Sequence, residues 1–202
     1  MNLLEIVVRG GWLMIPIALC SVVVIALGVG RWLVIRRQVG ELERFLAVWR
    51  SSGTIDRERF ARECEQGPAA VALMAGEFKS GSPSRQEAAE AVETQARGNL
   101  YELEKGMGTM ATMAAVAPLL GFLGTVTGMV RAFMQIQNLG GNVNASVLAG
   151  GIWEALITTV GGLTVGIPAL LIHNYLAGMI RQAARQLEQC GDLIVRHLGS
   201  SQ

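Results

Sequence analysis

GIWEALITTVGGLTVGIPALLIHNYLAGMI, residues 151–180, reads as one apolar helix with a glutamate near its start. About 20 such residues cross the hydrocarbon core of a bilayer. Glu154 is the only acidic residue between Glu104 and Glu188, although the 202-residue chain holds 16 Asp and Glu. Its isolation is therefore a property of this segment. A carboxylate in hydrocarbon costs several kcal/mol, so it needs a partner, a proton or water. Thr158 lies one turn from Glu154 on the same face, and Thr159, about 140° round, looks toward an adjacent helix. No basic residue follows on the segment before Arg181. A glutamate with hydroxyl neighbours suits a site that takes up and releases a proton. Counting about 20 residues back from Arg181 gives a competing expectation, with the apolar layer ending near Gly162 and Glu154 idle among headgroups. Against it, residues 145–153 carry no charge, unlike an exposed loop.

Outward from this segment the chain falls into alternating blocks. Residues 10–30 are uncharged, with Trp12 and Trp32 near the two ends, where interfacial indoles are favoured, and form the first predicted span. Residues 106–134 hold the second, uncharged up to Arg131, and 151–180 the third. Between the first two spans, residues 31–105 carry 10 Arg, 2 Lys and most of the acids. Helical pieces are expected there at 31–50, 55–65 and 69–80. A further helix starts at Ser84, where Ser84-Arg85-Gln86-Glu87 has the form of a capping box. No proline intervenes before Pro118, so that helix can run from the polar region into the second span. The linker 135–150 is glycine-rich and the tail 181–202 continues the third helix amphipathically, interleaving Ile180, Leu187, Leu193 and Ile194 with Arg181, Arg185, Glu188 and Asp192.

Twelve of the 17 basic residues lie in 31–105 and three in 181–202. Basic residues collect on the cytoplasmic side, which places residues 1–9 and 135–150 outside and both charged blocks inside. The fold class expected is an all-α integral membrane protein with three transmembrane helices, the second and third extended into the cytoplasm.

Composition removes other classes. Mean hydropathy is +0.40 and 51% of residues are hydrophobic, too apolar for an ordinary soluble domain. A net charge of +1 gives no basic field for nucleic acid. Cys20, Cys64 and Cys190 match no zinc or redox spacing and read as thiols. No Ser/His pair, paired carboxylates or metal cluster occupies the spans, and Glu154 alone cannot do both acid and base work, so the chain is read as a non-enzyme. No cofactor is expected. Thr125, Gly124-x-x-x-Gly128 and Pro118 on the second span, and Gly162-x-x-x-Gly166 and Pro168 on the third, are consistent with close helix packing.

APLLGFLGTVTGMVRAF (117–133) and residues 151–176 together resemble the MotA/TolQ/ExbB proton channel family, the first matching its APxxGxxGTVxGM pattern and the second its EAL–T–GL–IP pattern. The three-span, N-out layout resembles the ExbB/TolQ branch. The resemblance implies a homopentamer in the bacterial inner membrane, with its second and third helices lining a central pore. It implies an ExbD- or TolR-like single-span dimer in that pore, and a TonB- or TolA-like periplasmic energy transducer as the recipient of force. By motif position Glu154 corresponds to the pore glutamate, and Thr125 and Thr159 to the pore threonines. The function implied is that of a proton-channel subunit energising TonB-dependent outer-membrane transport. A TolQ-like role in envelope integrity and a non-conducting membrane scaffold are the competing readings.

Overall fold

The computed structural model describes residues 10–50, 56–76, 85–138 and 145–198. Their regular structure is entirely helical: α1 Met14–Arg50, α2 Arg57–Gln66, α3 Ala69–Gly76, α4 Arg85–Glu104, α5 Met107–Asn138 and α6 Ala145–Leu198. Three helical stretches, Met14–Trp49, Gln86–Asn138 and Ala149–Leu198, are long and apolar enough to cross a membrane. The chain divides into two compact units, Met1–Val29 with Gly106–Asn174, and Gly30–Lys105 with Tyr175–Gln202.

The first unit combines the start of α1 with α5 and the first part of α6. Its buried positions on α1, Met14, Ile17, Cys20 and Val24, recur every three or four residues and so form one stripe, with Leu13 buried just ahead of it. The opposite face, Ile15, Leu19, Val22, Ile25 and Val29, is equally apolar and stays exposed. A helix hydrophobic all round belongs in lipid or in an apolar protein interior. Further along the same helix the exposed face turns charged, with Arg36, Arg37, Glu41 and Arg44, while Ile35, Val39 and Leu42 remain buried.

α5 and α6 are held together by small residues. Gly121, Gly124, Gly128 and Ala132 on α5 face Gly162, Thr158, Ala155 and Gly151 on α6. The numbers fall on one helix as they rise on the other, so the pair is antiparallel. A Cβ added to Gly162 would stand 2.5 Å from the Ala117 carbonyl oxygen, and one on Gly128 2.8 Å from the Ala155 methyl. Pro118 sits inside α5 against Gly166, whose missing Cβ leaves room for the ring. Both small-residue motifs read from the sequence lie on this seam.

The second unit is built on the charged blocks. Its core joins Leu42, Phe45 and Trp49 of α1 with Phe60 and Cys64 of α2, Val71 and Met74 of α3, Val92 of α4, and Leu187, Cys190 and Ile194 of α6. Phe60 is fully buried, edge-on to Trp49 at 4.9 Å between ring centres and 5.4 Å from the His197 ring. On α6, Leu176, Ile180, Ala183, Leu187, Cys190 and Ile194 are buried at alternating spacings of three and four, the apolar stripe of an amphipathic helix. α2 opens on Asp56, whose carboxylate accepts from the Glu58 amide at 3.3 Å, an N-cap.

Two local expectations change. The helix expected from Ser84 into the second span is interrupted: α4 ends at Glu104, and Gly106 takes φ +84°, a left-handed conformation that glycine adopts without strain. The absence of proline was not sufficient for continuity. α6 begins at Ala145, ahead of Gly151, and the expected 69–80 piece is helical over Ala69–Gly76, with residues 77–80 outside the described residues. Ser84 of the capping box lies outside the described residues, as do the N-terminal residues 1–9.

Candidate functional site

The antiparallel register of α5 and α6 decides what stands opposite Glu154. Arg131 Nη1 lies 3.1 Å from Glu154 Oε1, an ion pair between the two helices. The pair sits inside both helices, seven residues before Asn138 and nine after Ala145. It is partly exposed, with the Glu154 side chain 34% and that of Arg131 51% accessible. On the third side, the turn ahead of α1 closes over it. Gly11 has φ +71° and its backbone lies against the carboxylate, where a Cβ would collide with Oε1. A cavity of about 10 Å³ remains, lined by Glu154, Arg131, Thr127 and Thr158 beneath Gly10, Trp12, Leu13 and Gly124.

Glu154 is thus level with the start of the first uncharged run, at one end of the apolar unit. Sequence reasoning sought its counter-charge only along its own helix and missed Arg131. The signal was present: Arg131 and Glu154 are the only Lys, Arg, Asp or Glu in the described residues 106–174. Finding their contact needed the interhelical register, which the two small-residue motifs could have supplied.

Thr125 and Thr159 meet further along the same seam, hydroxyl against hydroxyl. Each also reaches across to the opposite backbone. Thr159 donates to the Gly121 carbonyl at 3.0 Å and Thr125 is within 3.1 Å of the Ala155 carbonyl. Most membrane threonines bond only to their own helix, as Thr112 does with Gly108 and Thr127 with Leu123. Thr158, 2% exposed, packs on Gly124 and donates to the Ala155 carbonyl at 2.7 Å. The structure therefore brings Thr125 to Thr159, and pairs Glu154 with Arg131. Five residues of helix, about 7.5 Å, separate Glu154 from Thr159 along the axis.

Among the described residues no group of three or more His, Cys, Asp and Glu is placed to hold a metal ion. The sequence pattern defining the MotA/TolQ/ExbB proton channel family matches residues 58–189. The chain belongs to that family. It is 32% identical over 188 residues to a protein named ExbB-like 1 of Synechocystis sp., covering 90% of this chain and 73% of that one. It is 35% identical over 111 residues to an ExbB homolog of Methanothermobacter thermautotrophicus, 55% of this chain and 39% of the homolog. Against the biopolymer transport protein ExbB of Salmonella typhimurium the identity is 41% over 76 residues, 38% of this chain and 31% of that protein. Family membership and the three apolar helical stretches make this a multi-pass membrane protein of ExbB-like type. The matched family region takes in the second unit's α2 to α4 as well as the α5–α6 seam.

Proposed function

We propose that this chain is the channel subunit of a proton-driven motor in the bacterial inner membrane, N-terminus periplasmic and C-terminus cytoplasmic. In this reading five copies surround an ExbD-like single-span dimer and energise TonB-dependent outer-membrane transport. The observation that carries it is the polar line on an otherwise apolar helix pair, in a chain of this family: the Glu154 carboxylate paired with Arg131, and the Thr125–Thr159 hydroxyl contact further along the seam. Glu154 takes a proton from the outer side. The hydroxyls can each accept one proton while giving up another, and the roughly 7.5 Å between them and Glu154 is bridged by water or a partner side chain. Each proton crossing a potential of 100 mV releases about 2.3 kcal/mol, so a few suffice to do mechanical work.

The test is proton flux through proteoliposomes holding the chain and its single-span partner. Glu154→Gln should assemble normally and stop the flux and the energy-dependent uptake it drives. Full activity in that variant would remove Glu154 from the path. Partner binding without any flux in the wild type would favour the scaffold instead.

A further inference from the structure

In the described part of the first unit, Arg131 and Glu154 are the only side chains of the Lys, Arg, Asp and Glu classes, and they are bonded to each other. A channel carboxylate with nothing beside it is open to any small cation that can reach it. Here the place beside Oε1 is already taken by a covalently tethered one. We propose that Arg131 is a specificity-determining residue, which keeps metal cations such as Na⁺ off Glu154 and leaves the carboxylate to protons; the inference rests on the channel reading above.

Three features support it. The contact is made through Oε1, at 3.1 Å, which leaves the lone pairs of Oε2 for a proton. A proton needs one lone pair and forms a covalent O–H bond. A hard metal cation needs about six oxygens around it. The cavity at the site, about 10 Å³, has room for about one water. A hydrated cation would have to shed nearly its whole shell to enter, and Thr127 and Thr158 offer only two hydroxyl oxygens in exchange. Finally, the guanidinium repels an arriving metal cation beside Oε1, a known way for a pore to reject ions. The Gly11 backbone also lies against Oε1. Removing Arg131 would vacate the space it fills and leave a bare carboxylate beside two hydroxyls, an oxygen set that hard cations favour.

The experiment uses the full-length chain in nanodiscs and measures equilibrium binding of radioactive Na⁺, with Glu154→Gln as the blank. Wild type should bind no more Na⁺ than the blank. Arg131→Gln should gain a site that disappears in the double variant with Glu154→Gln, whereas Arg131→Lys should exclude Na⁺ as wild type does. Arg131→Met, apolar like its surroundings, replaces the glutamine variant if that one does not assemble. Glu154-dependent Na⁺ binding by wild type, or none in the neutral variants, overturns the assignment. The measurement needs no ion flow, so it stands apart from the channel reading. In proteoliposomes of the whole complex the same neutral variant should pass Na⁺ or lose proton flux as Na⁺ is raised. Absence of all flux in wild type would count against the channel and leave the binding result to judge Arg131.

Discussion

Thr125 and Thr159 touch through their hydroxyls across the α5–α6 seam, and each reaches a backbone carbonyl of the other helix. Two hydroxyls hold two protons, and they face each other as well as two carbonyls. One arrangement of those protons cannot fill every contact, so the hydroxyls can exchange donors by rotation. Thr159→Ala should therefore slow proton flux without stopping it, a milder effect than Glu154→Gln. Its structural cost should be small, about 0.6 kcal/mol, as for an average hydrogen bond between membrane helices. Flux and denaturant unfolding measured on Thr125→Ala, Thr159→Ala and the double variant check this. Purely additive losses of flux would deny the pair a joint role.

The seam itself tolerates no growth at Gly162. A Cβ there would stand 2.5 Å from the Ala117 carbonyl oxygen and 3.0 Å from the Gly121 Cα, both backbone atoms that cannot swing aside. Gly162→Ala should destabilise the chain by about 1–3 kcal/mol, the usual cost of overpacking. Gly108→Ala, where nothing lies within 4 Å of the added methyl, is the matched control and should be neutral or slightly stabilising. Thermal unfolding in detergent separates the two, and equal midpoints would show that the helices can part without cost.

Much of the architecture was legible because charge is absent over whole runs. Gly10–Gly30, Gly106–Val130 and the segment after Glu154 announce three apolar helices by composition alone. The stripe Ile180, Leu187, Ile194 announced that the last helix goes on beyond Arg181. What escaped depends on register or on one backbone angle. Arg131 meets Glu154 only because Gly128 packs on Ala155 and Ala132 on Gly151, a pairing between helices that no periodicity within one helix encodes. The break before α5 rests on Gly106 adopting a positive φ, which glycine permits but does not require. The meeting of Thr125 with Thr159 follows from the same register, and the resemblance had named both residues without showing that they touch.

Phe60 should be the most sensitive position of the second unit. It is fully buried in a ring cluster with Phe45, Trp49 and His197. Phe60→Ala leaves a large cavity and should cost about 3–5 kcal/mol. Phe60→Leu, which keeps most of the volume, should cost much less. Chemical denaturation followed by fluorescence, with Trp12, Trp32 and Trp153 replaced by Phe so that Trp49, whose indole stands edge-on to Phe60, is the remaining emitter, reports the loss. A Phe60→Ala protein as stable as wild type would mean that the cluster closes up around the gap.

Cys64 gives the same unit a pH dependence whose sign can be worked out. Burial pushes its thiol up to about 12, and the neighbouring Cys190 adds to the effect. In the unfolded chain a cysteine thiol ionises near 8.5. Between those values the folded protein keeps a proton that the unfolded chain releases, so rising pH favours unfolding. The contribution of Cys64 is whole below about pH 8.5 and is lost as pH climbs toward 12. Wild type should lose stability over that alkaline window more steeply than Cys64→Ala, with the two curves parallel below pH 8. Because the thiolate is the reactive form, iodoacetamide at pH 8 should leave Cys64 unmodified in the folded protein and label it readily in denaturant. Mass spectrometry of the labelled peptide reads both states, and rapid labelling of Cys64 in the native protein would contradict its burial.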